Sequence, residues 1–243
     1  SALDERTYMI KTQDISKVFM IGKKQETELC AVDNLTLEVS KGEVFGFLGP
    51  NGAGKTTTVR ILTGLIKPTG GSALVAGFTL GKEDTQIRRN VGILTESPGM
   101  YERLSAEKNL TIFANLYEVP DIPKAVNKYL SMLDLWTRRY DAVGSFSKGM
   151  RQKLAVARAL IHEPQILFLD EPTTGLHFLD VRRLMMILAR LRDAGHTVII
   201  VEHNPDVMNA ADWIVDMGPG GGNAGGRVVA SGPLEKVASC RNP

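Results

Sequence analysis

GPNGAGKTT, residues 49–57, follows the apolar run Val44-Phe45-Gly46-Phe47-Leu48 and precedes a stretch that reads as the start of a helix. It satisfies G-x-x-x-x-G-K-[ST] through Gly49, Gly54, Lys55 and Thr56, in the strand-before, helix-after setting that gives the pattern its meaning. Glycines let backbone N–H groups turn inward around phosphates. Lys55 adds a point charge by the β- and γ-phosphates, and the Thr56 hydroxyl reaches Mg²⁺. An ordinary strand-to-helix turn is the alternative, and the context speaks against it. The loop alone does not separate a kinase from a GTPase or a motor.

Outward from this loop, short β-rich runs alternate with longer amphipathic stretches, which predicts βαβ units around a parallel sheet. Further core-strand candidates are Val91-Gly92-Ile93-Leu94, residues 165–169 and residues 197–201. All are continuous apolar runs, as expected where both faces of a sheet are covered. Between residues 105 and 162 the pattern turns helical. Ser105 can cap a helix whose Leu110, Phe113, Ala114 and Tyr117 share one face, and Met150, Leu154, Ala157 and Ile161 repeat that spacing. The simplest reading is a helical insertion within an α/β core, with Val119-Pro120-Asp121-Ile122-Pro123 as a loop between helices. Near the C-terminus, Gly218-Pro219-Gly220-Gly221-Gly222-Asn223-Ala224-Gly225-Gly226 lies between strand-like residues 213–216 and 227–230. It reads as a connection between two strands. A second phosphate loop would need a following helix and usually a lysine.

The 243 residues suit one large domain or two small ones, and 43% apolar with 23% charged residues is ordinary for a globular protein. A net charge of +2 neither requires nor excludes nucleic acid. No basic stripe with interleaved aromatics accompanies it, so nucleic acid is not an expected partner. Cys30 and Cys240 lie far apart and form neither a disulfide framework nor a zinc site, which points to a reducing compartment. Cys30 reads as a buried small hydrophobe and Cys240 as a thiol on a mobile tail. No apolar run approaches the roughly 20 residues that span a bilayer, and no signal-peptide pattern stands at the N-terminus. Any membrane role is expected to come through a partner. The chain opens Ser-Ala without Met, as either an added N-terminal remnant or a segment cut from something longer would.

Two acids close the run Ile166-Leu167-Phe168-Leu169-Asp170-Glu171. At the end of a buried strand, Asp170 can hold a metal ion's waters, while Glu171 can orient and deprotonate an attacking water. Alone the pair would be surface charge; the phosphate loop upstream argues against that. Phe146-Ser147-Lys148-Gly149-Met150-Arg151-Gln152 directly precedes an amphipathic helix, where a serine hydroxyl and a glycine N–H form an anion site. Most such starts are simply capped helices.

In these stretches the chain resembles the ATP-binding cassette (ABC) family. Residues 49–57 are similar to its Walker A loop, 146–152 to its signature and 167–171 to its Walker B strand; His203, at the end of an apolar strand, is similar to its switch histidine. The order and spacing of the four agree over almost the whole chain. The resemblance implies an α/β fold: a P-loop NTPase (RecA-like) core with a mixed or parallel sheet, an N-terminal antiparallel β subdomain and an inserted α-helical subdomain. It implies a single domain, 1–243, with residues 7–96 and 162–240 as the ATP-binding core and 97–161 as the signature-bearing helical lobe. It also implies ATP and Mg²⁺ as cofactors. Asn51, Gly52, Gly54, Lys55, Thr56 and Thr57 of one subunit and Ser147 and Gly149 of another would enclose one nucleotide in a head-to-tail homodimer or heterodimer. Thr56, Glu96 and Asp170 would serve the metal, Glu171 and His203 the hydrolysis to ADP and phosphate. Phe19 is the aromatic best placed to stack on adenine, with core packing as its alternative. His162, His177 and His196 are left with surface or structural roles.

Two departures stand out. Glu96 replaces the family's usual glutamine after the third core strand, though a carboxylate still ligates Mg²⁺, and His177 replaces the usual aspartate after Walker B. Residues 8–170 resemble the ATPase subunit of a drug-export ABC transporter. From residue 173 the likeness shifts: Asp193-Ala194-Gly195-His196, Val201-Glu202-His203-Asn204 and residues 211–232 resemble UvrA, the DNA-damage-recognising ATPase. Residues 169–173 are common to both, so a chimera, engineered or recombined, stands beside divergence as the origin. UvrA's zinc-bearing modules have no counterpart between Lys55 and Ser147. The expected function is the ATP-hydrolysing subunit of an exporter-type transporter, cytoplasmic and peripheral at the inner face of the cell membrane, energising transmembrane permease subunits. A soluble DNA-repair ATPase, or a hybrid that binds ATP without a partner, is the alternative. Residues 98–104 discriminate: Met100, Tyr101 and Leu104 either form an exposed apolar patch for a membrane partner's helix or pack inside the helical lobe.

Overall fold

The computed structural model describes residues 8–22, 27–95 and 99–241. A long antiparallel hairpin, β1 (Tyr8–Ile21) and β2 (Thr27–Ser40), precedes β3 (Val44–Leu48), which carries the chain into the phosphate loop and α1 (Lys55–Leu62). β4 (Gly70–Val75) and β5 (Phe78–Thr79) return to the hairpin and complete an antiparallel sheet of order β2-β1-β4-β5. α2 (Asp84–Asn90) leads to β6 (Val91–Leu94), and then come three α-helices without an intervening strand: α3 (Ala106–Leu116), α4 (Ile122–Met132) and α5 (Lys148–Leu160). The rest alternates as β7 (Ile166–Asp170), α6 (Phe178–Asp193), β8 (Thr197–Val201), α7 (Pro205–Asn209), β9 (Trp213–Gly218), β10 (Arg227–Gly232) and α8 (Leu234–Arg241). The second sheet has the order β10-β9-β3-β8-β7-β6, parallel throughout except for β10 against β9. The chain thus adopts the expected α/β class, with a mixed sheet, an antiparallel β part and helices inserted between β6 and β7.

Strand periodicity explains the unbroken apolar runs. Successive side chains point to opposite faces, and here both faces are buried. Phe45, Phe47, Ile166, Phe168, Ile199 and Val201 face a cluster shared with β1, β2 and α1. Val44, Leu167, Leu169, Val198 and Ile200 face a second cluster built with α3 to α6. Phe45, Phe47 and Phe168 are wholly buried, and truncating such a ring to alanine costs about 3–5 kcal/mol.

Element ends shift in places. The strand expected at 165–169 runs Ile166–Asp170, and those expected at 213–216 and 227–230 extend to Gly218 and Gly232. The predicted loop at 119–123 is a correction: α4 already begins at Ile122, with Pro123 in its first turn. A proline's fixed φ suits that position, and the Asp121 side chain accepts from the Lys124 N–H at 3.1 Å. Ser105 caps α3 as expected, accepting from the Lys108 N–H at 3.2 Å. Tyr117 leaves the buried face of α3. It is 44% exposed and stacks on the His162 ring, centroids 3.9 Å apart.

Candidate active site

The phosphate loop hangs from β3, in the middle of the six-stranded sheet. Gly54 sits at φ 91°, and a Cβ there would lie 2.1 Å from the Ala31 carbonyl oxygen, so β2 closes on the loop too tightly for any side chain. Gly54 also precedes α1 with no side-chain cap and no acid in the first turn. The helix start therefore offers bare N–H groups and the positive end of its dipole. Lys55 is 6% exposed, and its Nζ donates to the carbonyls of Gly49 at 2.7 Å and Pro50 at 2.9 Å. Burial lowers its pKa, against the opposing pull of the Glu171, Asp170 and Asp216 charges.

Two clefts meet here. One, of about 510 Å³, is lined by Phe19, Asn51, Gly52, Gly54, Lys55, Thr56 and Thr57, together with Glu171 and Gly222. The other, of about 280 Å³, shares Thr56 and Glu171 with it and adds Asp170, Thr95 and Leu65. Phe19 is half-buried, belongs to neither core cluster, and has the Lys17 ammonium 5.0 Å from its ring centroid. Glu96 lies outside the described residues. Size does not single out these clefts: one of about 550 Å³ beside Tyr117, Lys128 and His162 contains none of the predicted residues.

Glu171 follows β7 at φ 49°, its N–H held by the Val201 carbonyl at 2.9 Å. Its carboxylate stands 3.8 Å from His203 Nε2 and accepts from the Thr174 hydroxyl at 3.2 Å. Pairing of β7 with β8 brings these residues together across 32 positions of sequence, since Asp170 lies opposite Val201.

Ser147 and Gly149 are elsewhere in the chain. Ser147 is exposed and caps α5, its hydroxyl accepting from the Met150 N–H at 3.2 Å. Gly149 is buried against Asp180: an added Cβ would lie 2.6 Å from that carboxylate. Neither residue lines the two clefts. His177 caps α6 through Nδ1. His162 contacts the Val91 carbonyl and His196 the Pro164 carbonyl. In the 98–104 segment, Tyr101 is 51% exposed, whereas Met100 packs against the helical core cluster, so the two readings divide between residues.

Sequence reasoning missed Glu202 and Asp216, both 4% exposed. Glu202 Oε1 accepts from the Thr173 N–H at 2.7 Å and from the Thr173 hydroxyl, while Oε2 accepts from the N–H groups of His203 at 3.0 Å and Asn204 at 3.2 Å. One buried carboxylate therefore ties the turn after Glu171 to the segment carrying His203. The available signal was an acid at the exit of the wholly buried β8. Asp216 sits beside Leu48 in the β3–β9 pairing and acts on Lys55.

A lysine-bearing glycine loop between strand and helix, sharing its cleft with an acid at the end of a parallel strand, defines a nucleotide site of the P-loop class. Residues 32–174 match the family described as ABC transporter. The bacitracin transport ATP-binding protein BcrA of Bacillus licheniformis is 39% identical over 211 residues, 86% of this chain and 65% of BcrA. The ABC transporter ATP-binding protein NatA of Bacillus subtilis (strain 168) is 36% identical over 236 residues, 94% of this chain and 91% of NatA. In three dimensions the chain is similar to the ATP-binding cassette MJ0796 in a dimeric post-hydrolysis state bound to ADP and Pi. The TM-score is 0.81 at 26% identity, covering 93% of this chain and 99% of that one. The chain belongs to the ABC transporter family and is an ATP-binding cassette ATPase. Its transporter relative NatA aligns on both sides of residue 173, whereas the family match ends at residue 174.

Proposed function

We propose that the chain binds MgATP in the paired clefts and hydrolyses it to energise transport through transmembrane permease subunits, lying peripherally at the inner face of the membrane. The observation that carries this reading is that Lys55, Thr56 and Glu171 line one cleft, with His203 3.8 Å from Glu171. Lys55 and the N–H groups at the start of α1 bind the phosphates. Glu171 takes a proton from water as its oxygen attacks the γ-phosphorus and the bond to the ADP oxygen breaks. His203, 3.8 Å from Glu171, holds the γ-phosphate side of the site. The donor set fits Mg²⁺: the Thr56 hydroxyl and the Asp170 carboxylate line one cleft and supply oxygen. That suits an ion which takes one or two protein oxygens and leaves the rest to phosphates and water; bound there, Mg²⁺ would neutralise phosphate charge. Glu96 is its further candidate ligand.

Ser147 and Gly149 would complete the site from a second copy or a related cassette, and Phe19 would carry the adenine. The division into a core of residues 7–96 and 162–240 and a lobe of 97–161 belongs to the same reading. No helix among the described residues is long and apolar enough to cross a membrane, and Tyr101, 51% exposed, offers apolar surface to a permease. The decisive test is Glu171→Gln, expected to keep ATP binding and slow turnover by about 10²-fold or more, the scale of a lost general base. Undiminished turnover would remove Glu171 from the mechanism.

A further inference from the structure

The nine-residue glycine run lies outside the family match, and in the fold it does more than join β9 to β10. It is laid against the phosphate loop, backbone to backbone. The Gly222 N–H donates to the Gly52 carbonyl and the Gly226 N–H to the Ala53 carbonyl, both at 3.2 Å. The Gly226 carbonyl accepts from the Asp33 N–H of β2 at 2.8 Å, tying the run to a second element that borders the loop. Gly222 itself lines the larger cleft with Phe19 and Leu29.

Conformational freedom does not explain the glycines at 221 and 225. Both have φ of −101°, which any residue adopts. Space explains them. A Cβ on Gly221 would lie 2.7 Å from the Asn51 carbonyl oxygen; one on Gly225 would lie 2.5 Å from the Gly220 carbonyl oxygen within the run and 3.1 Å from Ala53 Cα. Gly220, in the same run, would meet nothing nearer than the Ala224 Cβ at 3.4 Å, ordinary contact.

We propose that residues 221–226 are a brace for the phosphate loop, setting nucleotide affinity by fixing its peptide planes. Peptide units are planar and trans, so a carbonyl held from one side turns the following N–H to the other. The bonds at Gly52 and Ala53 thereby aim the N–H groups of Ala53 and Gly54 away from the glycine run. The brace rests on the nucleotide reading above for its effect on ATP, and on geometry alone for its effect on the loop.

The test compares Gly221→Ala with Gly220→Ala in the full chain, measuring thermal stability, affinity for a fluorescent ATP analogue with Mg²⁺, and amide exchange of peptides covering residues 46–58 without nucleotide. Gly221→Ala is expected to weaken binding roughly tenfold, the scale of forced overpacking, and to speed exchange in the loop while the melting temperature stays near that of wild type. Gly220→Ala should leave all three unchanged. Unaltered exchange and affinity in Gly221→Ala would overturn the brace, as would losses that match a fall in stability. A wild-type chain that fails to bind the analogue would overturn the nucleotide reading, and the exchange comparison would still decide the brace.

Discussion

The phosphate loop and the signature segment each present the start of a helix, and they are built in opposite ways. α1 begins at a glycine with no side-chain cap, and β2, the sheet and the glycine run enclose the approach to it. α5 begins at Ser147, an exposed serine whose hydroxyl is already bonded to Met150 within its own helix. The first region is organised to receive a ligand in an isolated chain. The second is a finished surface, to which the proposed reading gives a ligand role only when another molecule brings phosphate.

That contrast can be broken most forcefully at Lys55. Two charge-assisted bonds would pass from the Gly49 and Pro50 carbonyls to phosphate, so Lys55→Ala should weaken ATP binding about 10²-fold, measured by equilibrium titration. Affinity within twofold of wild type would mean the loop is not the phosphate site. Ser147→Ala should slow hydrolysis about tenfold while leaving the ATP affinity of dilute, monomeric protein unchanged. A loss of affinity in the monomer would show that the two regions are not separate halves of a site.

A smaller effect is expected at Glu202. Glu202→Gln sets an amide among four donors, which should lower kcat roughly tenfold and leave KM for ATP within twofold, because the change displaces His203 relative to Glu171 and not the phosphate loop. Equal changes in both constants would make Glu202 a structural residue only.

The smallest effect concerns His162, outside both regions. Burial lowers its pKa from 6.5, against an opposing pull from the Val91 carbonyl. The unfolded chain then binds the proton more readily, so stability falls as pH drops below 6.5 and the penalty is complete below the folded value. His162→Gln should flatten the fall of melting temperature between pH 7 and 5; an unchanged slope would place the acid sensitivity elsewhere.

Legibility in the sequence follows the reach of each interaction. β3, β6, β7 and β8 could be read because both faces are covered and the apolar runs are short and continuous. The β1–β2 hairpin came only through family likeness: its register shifts between Thr12 and Ile15, again before Lys17 and again before Val18, and such irregularities break the alternation that marks a strand. Walker A, Walker B and the signature are contiguous, so their residue types and spacing reveal them. The Glu202–Thr173 link spans 29 positions and exists only because β7 pairs with β8. The place of the glycine run against residues 52 and 53 is likewise a product of sheet order, with β9 beside β3.

That sheet order also ranks the parts by how readily they come loose. β3 has a hydrogen-bonded neighbour on each side and cover on both faces, so its amides are expected to exchange with solvent only when the whole domain melts. The helical layer is hung differently: α3 packs on α4 and α5, and α5 lies against β6, the strand at the sheet's margin. Partial melting from that margin would carry off the start of α5 with the phosphate loop still in place, leaving a protein that holds nucleotide and has lost the surface through which a second copy would act on it.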